Sequence, residues 1–246
     1  MNRGKEGIGD LYHQETKYRR EAMDRGGLDW ANQPSPDKGF SHPLKKFPIR
    51  PIDQKGGKPL WETIAKRRSI REFSSQSITF SELSQLLWAT QGITSKAWGY
   101  DFRACPSAGA LYPIETYIIA NRVEEISPGL YHYDVKKAEL ILLEEGNLGS
   151  ELSRAGLGQE MLEEAACVFV WTAIIERSKW KYRERAYRYI YMDAGHIGQN
   201  LYLTATGLGL GCCTVGAFFD EEVDRLIGVD GKNEISIYLG AIGRPQ

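Results

Sequence analysis

Three arginines and a serine crowd the stretch RRSIREF, Arg67 to Phe73. Guanidinium forks match phosphate oxygens bidentately, so Arg67, Arg68 and Arg71 can converge on such an anion, with the Ser69 hydroxyl as a further donor. The same run would equally suit a solvated basic helix end, where cations favour the helix dipole. A second stretch, RACPSAGALYPIETYIIA, enters a strand-like run through tiny residues bracketed by Pro106 and Pro113. Small residues mark places where something approaches the backbone, either a neighbouring chain element or a ligand. A third stretch, SKWKYRERAYRY, packs Lys, Arg and Tyr together. Within it Lys181 and Tyr182 are proton carriers if a ligand lies against them. Without one they are an ordinary charged helix face.

Other chemistries find less support. GLGLG (Gly207–Gly211) lacks the G-x-G-x-x-G spacing and stands after a helix and before a strand, the reverse of a dinucleotide-binding turn. Helix capping and tight backbone packing account for it better. His196 has Asp193 and Gln199 nearby but no second His or Cys at three or four residues' distance, so a metal site is not expected. No G-x-S-x-G elbow exists, and no serine or cysteine has a sequence-local base. Cys105, Cys167, Cys212 and Cys213 form no C-x-x-C pair and sit in apolar or small-residue runs, which reads as reduced, buried thiols.

These residues must be held by elements that the periodicity outlines. Residues 1–58 are polar and rich in Gly, Pro and charge, an arm or wrapping segment with too few apolar positions for its own core. The main domain is expected over 59–246. It opens with a short helix from Leu60 to about Ser69 and a second introduced by Thr79, with Glu82 at capping-box spacing. A strand over Ile114–Ala120 follows, then a hairpin turning at Lys136 and Lys137, and helical segments in LGSELSRAGL and QEMLEEAA. CVFVWTAII is apolar throughout and should be a central strand. From about Arg183 to Thr206, Tyr187, Ile190, Tyr191, Ala194, Ile197, Leu201, Ala205 and Leu208 recur at helical steps as one buried stripe. A strand over Gly211–Val215, a helix opened by Asp220 and a final strand EISIYLGAIG complete the chain. Mixed strands and helices with a local hairpin indicate an α+β fold.

With 246 residues, 42% of them hydrophobic, the chain can bury one sizeable core. A formal net charge of -1 gives no electrostatic footprint for nucleic acid. Neither an apolar signal region nor about 18 uninterrupted apolar residues occurs, so the expectation is a cytoplasmic protein with no membrane span.

Taken in order, RRSIREF, PSAGALYP, GLYHYD, KYRERAYRYIYMDAGHIGQNLYLTATGLGLGC with TVGAF behind it, and YLGAIGRP resemble the nitroreductase family of FMN-dependent oxidoreductases, and within it the SagB-type dehydrogenase branch. The resemblance covers residues 60–246. It implies an FMN-binding α+β fold with a central mixed or antiparallel sheet flanked by helices, working as a homodimer. It implies that Pro106, Ser107, Ala108 and Gly109 lie against a flavin shared across the dimer interface. Arg67, Arg68, Ser69 and Arg71 would serve the phosphate and ribityl, Arg244 would be a further phosphate-side arginine, and Gly216 and Ala217 would form the turn facing flavin N5. Ala110, Tyr112 and Gly216 stand where classical nitroreductases or other relatives carry Asn, Gln or Glu, which favours the SagB-type branch. In that branch a Lys-Tyr pair, here Lys181 and Tyr182, serves azoline oxidation on peptides. Lys179, Arg183 and Arg185 are expected to lower the pKa of both groups. The implied activity is hydride transfer between flavin N5 and a small organic or peptide-borne, azoline-like substrate. One alternative is a nitroaromatic or quinone reductase with NAD(P)H as electron donor. Another is a flavin-binding docking subunit of a peptide-modifying complex.

Overall fold

In the computed structural model of the protein, residues 7–20 and 27–246 are described; residues 1–6 and 21–26 of the expected arm lie outside them. The run Ile114–Ala120 forms β4, buried at every position, between β5 (Gly129–Asp134) and β7 (Cys167–Ile174). Burial on both faces explains why β7 reads as a nearly continuous rather than alternating apolar run. β6 (Glu139–Glu145) closes the hairpin with β5, while β8 (Gly211–Val215) and β9 (Glu234–Gly243) extend the sheet beyond β7. A strand missed in sequence, β1 (Lys45–Pro48), pairs with β6 and ties the end of the arm to the sheet. The order is β1-β6-β5-β4-β7-β9-β8, every neighbour antiparallel.

Helices cover both faces. Ile114, Ile118, Phe169 and Trp171 pack with α3 (Phe80–Gln91) and α7 (Ala186–Leu208). Ile119, Val168 and Val170 pack on the opposite face with α4 (Gly149–Ala155), α5 (Met161–Glu164) and α8 (Asp220–Ile227). The capping box forms as expected: the Glu82 N–H donates to Thr79 Oγ1 at 3.1 Å, and the Thr79 N–H donates to Glu82 Oε2 at 2.8 Å. α7 ends at Gly209, whose left-handed φ of 77° caps the helix.

Several expectations shift. α2 (Leu60–Lys66) ends three residues before Ser69. Ile175, assigned to the central strand, instead opens α6 (Ile175–Tyr182), a separate helix that the reading did not contain. Arg183 breaks the chain with a φ of 51°, and the long helix begins only at Ala186. Lys181 and Tyr182 therefore lie in the last turn of α6. Tyr191 is 55% exposed, because the buried line through Ile190, Ala194, Ile197 and Leu201 leaves it one step toward solvent. A hairpin of β2 (Ile93–Ala97) and β3 (Tyr100–Arg103) was also missed, and it stands apart from the main sheet. Within the arm, Ile8–Glu15 forms α1. Among the described residues no helix is long and apolar enough to cross a membrane.

Candidate functional site

The tiny residues after Pro106 are held by a carboxylate on α7. Ser107 Oγ donates to Asp193 Oδ2 at 2.6 Å, and the Ala108 N–H donates to Asp193 Oδ1 at 3.2 Å. Ser107 Oγ also accepts the Tyr112 N–H at 3.0 Å, which closes the loop on itself. Asp193 is only 4% exposed, and burial raises its pKa although these donors oppose the shift. At the loop's apex Gly109 has a φ of 65°, and a Cβ there would stand 2.6 Å from the Tyr182 hydroxyl and 3.0 Å from Lys181 Nζ. The element that comes close to the small residues is thus the Lys-Tyr pair itself. Only glycine satisfies both the backbone angle and the contact.

Lys181 Nζ lies 5.5 Å over the Tyr182 ring, whose other neighbour is Tyr189 at 4.6 Å between centroids. The expected lowering of the tyrosine pKa does not occur. Burial raises it, followed by the charges of Tyr189 and Asp193. The cations assigned to that task are engaged elsewhere: Lys179 pairs with Glu184 at 2.8 Å, and Arg185 donates to Tyr189 Oη at 2.9 Å and to the Thr16 carbonyl at 2.6 Å. Tyr182 therefore keeps its proton at neutral pH. The pair lines a cavity of about 540 Å³ whose further walls include Thr16, Tyr18 and Asp29 of the arm.

The arginine block follows α2 and meets α7 further along. Ser69 Oγ lies 2.9 Å from the Tyr202 hydroxyl, and the Arg67 guanidinium lies 5.1 Å over the Tyr202 ring. The same hydroxyl accepts the Thr214 N–H at 2.9 Å, so one tyrosine joins the block to β8, just before Gly216 and Ala217. Both are exposed; the Ala217 carbonyl accepts from Gln159, and no atom lies within 4 Å of a Cβ built on Gly216. Among the described residues, Arg67, Arg68 and Arg71 make no ion pair. Arg68 bonds only the carbonyls of Ala65 and Arg67. Arg67 is half-buried and Arg68 and Arg71 are exposed, so guanidinium groups without countercharges stand beside a hydroxyl where an anion can reach them. Arg244 does not join them, since its guanidinium pairs with Glu82 at 2.9 Å and donates to the Ser77 carbonyl.

Asp193, Tyr202 and Thr214 were not among the expected site residues. Asp193 was legible in one respect, as a carboxylate set three residues after Ile190 and four before Ile197 on a buried stripe. Tyr202 and Thr214 carry no such local signal, because their partners come from distant segments. Among the described residues no group of His, Cys, Asp and Glu could hold a metal ion. The cysteines are free and buried, and burial pushes the Cys105 thiol up to about 12, so none of this site's chemistry falls to it.

The chain, an α+β fold whose long α7 meets both the small-residue loop and the arginine block, belongs to the nitroreductase family of oxidoreductases, matching it over residues 64–244. A Methanocaldococcus jannaschii protein described as a nitroreductase is 37% identical over 185 residues, covering 75% of this chain and 90% of that one. The microcin B17-processing protein of Escherichia coli is 32% identical over 146 residues, 57% of this chain and 54% of that one. Among solved structures, an Anabaena variabilis chain described as a nitroreductase superposes with a TM-score of 0.79 at 32% identity; the match covers 96% of this chain and about half, 47%, of that one.

Proposed function

We propose that this chain is an FMN-dependent oxidoreductase of the SagB type, acting on a small organic or peptide-borne, azoline-like substrate. The observation that carries the reading is the meeting of Gly109 with Lys181 and Tyr182, which makes the small-residue loop and the proton-bearing pair one site. The likeness to a microcin-processing protein supports a peptide-borne substrate. Arg67, Arg68, Arg71 and Ser69 would hold the FMN phosphate, each charge-assisted bond contributing ~1.5–3 kcal/mol. The loop from Pro106 to Gly109 and the turn at Gly216 and Ala217 would border the ring. When bound, the flavin supplies hydride chemistry at N5, and the protein supplies position and protons. Tyr182, protonated at neutral pH, donates a hydrogen bond to the substrate. Lys181, beside the Tyr182 ring, is the group assigned to take the proton that accompanies the hydride on substrate oxidation.

Anaerobic reduction of the purified protein, followed in the flavin band, separates the readings. A thiazoline-containing peptide should bleach the flavin of the wild type. Lys181→Ala and Tyr182→Phe should retain FMN yet reduce it at least about a hundredfold more slowly. Bleaching by NAD(P)H with indifference to the peptide would assign the chain to the nitroaromatic or quinone reductases instead. Flavin that neither donor reduces would leave a docking subunit.

A further inference from the structure

On the other side of the small-residue loop lies a second cavity, of about 530 Å³. Its walls come from arm residues 33–37, the β2–β3 turn, the loop's end at residues 110–112 and the β5–β6 turn. That is the volume of a small organic ligand, and nothing in the redox reading uses it.

Its charges do not balance. Arg177 pairs with Glu115 at 2.5 Å, Lys136 with Asp37 at 2.7 Å, and Asp101 with Lys96 at 3.3 Å. Arg103 remains, with no ion pair among the described residues. Its guanidinium donates to Gln91 Oε1 at 3.0 Å and lies 4.6 Å over the Tyr112 ring. Burial lowers its pKa, against the pull of Glu115, and this half-buried cation has most of its five donors unspent. One surplus positive charge on a planar fork matches a carboxylate better than a doubly charged phosphate.

The rest of the wall is aromatic and strained. Trp98 is 88% exposed at the tip of the hairpin, and Tyr100 stands beside it. Ala110 and Tyr112 line the cavity with left-handed φ values of 54° and 46°. Non-glycine residues keep such angles where the surroundings over-determine them, and they cluster at ligand clamps. The Tyr112 hydroxyl accepts the Arg103 N–H at 3.1 Å, which leaves its own proton to donate.

We propose that this cavity binds a planar aromatic carboxylate, the carboxylate forked onto Arg103 and the ring held against Trp98 and Tyr112. The site is independent of the flavin reading, because binding needs no turnover. The test is calorimetric titration of the full chain with 1-naphthoate, with 1-naphthamide and inorganic phosphate as controls. Naphthoate should bind saturably at one site, at least about tenfold tighter than the neutral amide, and phosphate should not displace it. Arg103→Gln and Trp98→Ala should each weaken naphthoate at least about tenfold. Trp98 is solvent-exposed, so its variant tests the site even if Arg103→Gln fails to fold. No saturable binding to the wild type, unchanged affinity in the Trp98 variant, or displacement by phosphate would overturn the assignment.

Discussion

Removing the Asp193 carboxylate would strand two donors at once, the Ser107 hydroxyl and the Ala108 N–H. Asp193→Ala should therefore destabilise the fold by ~1–3 kcal/mol. It should also lower kcat about a hundredfold with FMN retained, since the released loop no longer holds its position against Lys181 and Tyr182. Asp193→Asn supplies one acceptor oxygen and should recover part of both losses; an alanine variant with wild-type melting temperature and kcat would show that the loop holds itself. Gly109→Ala tests the same geometry from the other side. Its Cβ would strike the Tyr182 hydroxyl at 2.6 Å and would have to adopt a left-handed backbone, a strain of ~1–2 kcal/mol. Steady-state kinetics should show a fall in kcat well beyond any change in KM. At this scale the sequence was legible in type but not in partnership. The small residues at 106–109 announced a close approach, which Tyr182 and Lys181 make at Gly109. Nothing local revealed that Asp193 holds the loop, or that Arg244 is claimed by Glu82.

Elements were read well where their periodicity was uninterrupted, as in β4, β7 and the body of α7. α6 escaped because its sequence follows a strand without a breaker and its apolar residues are few. The break that ends it is Arg183, a residue type that gives no warning of a φ of 51°. The β2–β3 turn did carry a signal, since Trp98 and Gly99 share positive φ in the manner of a two-residue hairpin turn. One buried cluster joins β4, β5 and α6: Glu115 accepts from Arg177 and lies 2.7 Å from His132 Nε2. Burial alone would raise the Glu115 pKa, but His132 and Arg177 outweigh it and lower it to about 2. A carboxylate depressed in the folded state stabilises above its unfolded pKa near ~4.3 and loses that contribution as pH falls toward 2. The melting temperature should accordingly drop steeply between about pH 4.5 and 2. Glu115→Gln should cost ~3–5 kcal/mol at pH 7 by leaving Arg177 buried without its countercharge, and it should flatten that acid limb. A variant whose melting temperature falls as steeply as the wild type's over that range would place the acid sensitivity elsewhere.

Across the whole molecule, the two halves of the candidate site hang from one helix. Asp193 holds the small-residue loop and Tyr202 meets the arginine block, nine residues apart and so separated by roughly 13 Å along α7. That spacing leaves two arrangements open to a cofactor with a phosphate at one end and a ring at the other. It could lie along a single α7, or it could take its phosphate contacts from one subunit and its loop from another. Exposed apolar side chains favour the second. Leu60, Trp61 and Ile64 are exposed on α2, and Tyr191 and Met192 on α7, two helices that pack together and offer apolar side chains for a second subunit to cover. If the site is shared in a homodimer, FMN occupancy and association are linked by mass action, because each favours the state that the other requires. Diluting the protein into the range where it dissociates should then release flavin, seen as recovery of free-flavin fluorescence in step with the loss of dimer by light scattering. Added FMN should oppose dissociation, and Trp61→Glu should weaken dimer and flavin binding together. Arg67→Ala should release flavin first and loosen the dimer only as a consequence, so excess FMN should restore the variant's assembly but not that of Trp61→Glu at the same concentration. A chain that stays monomeric while holding FMN tightly at every dilution would place the whole cofactor along one helix.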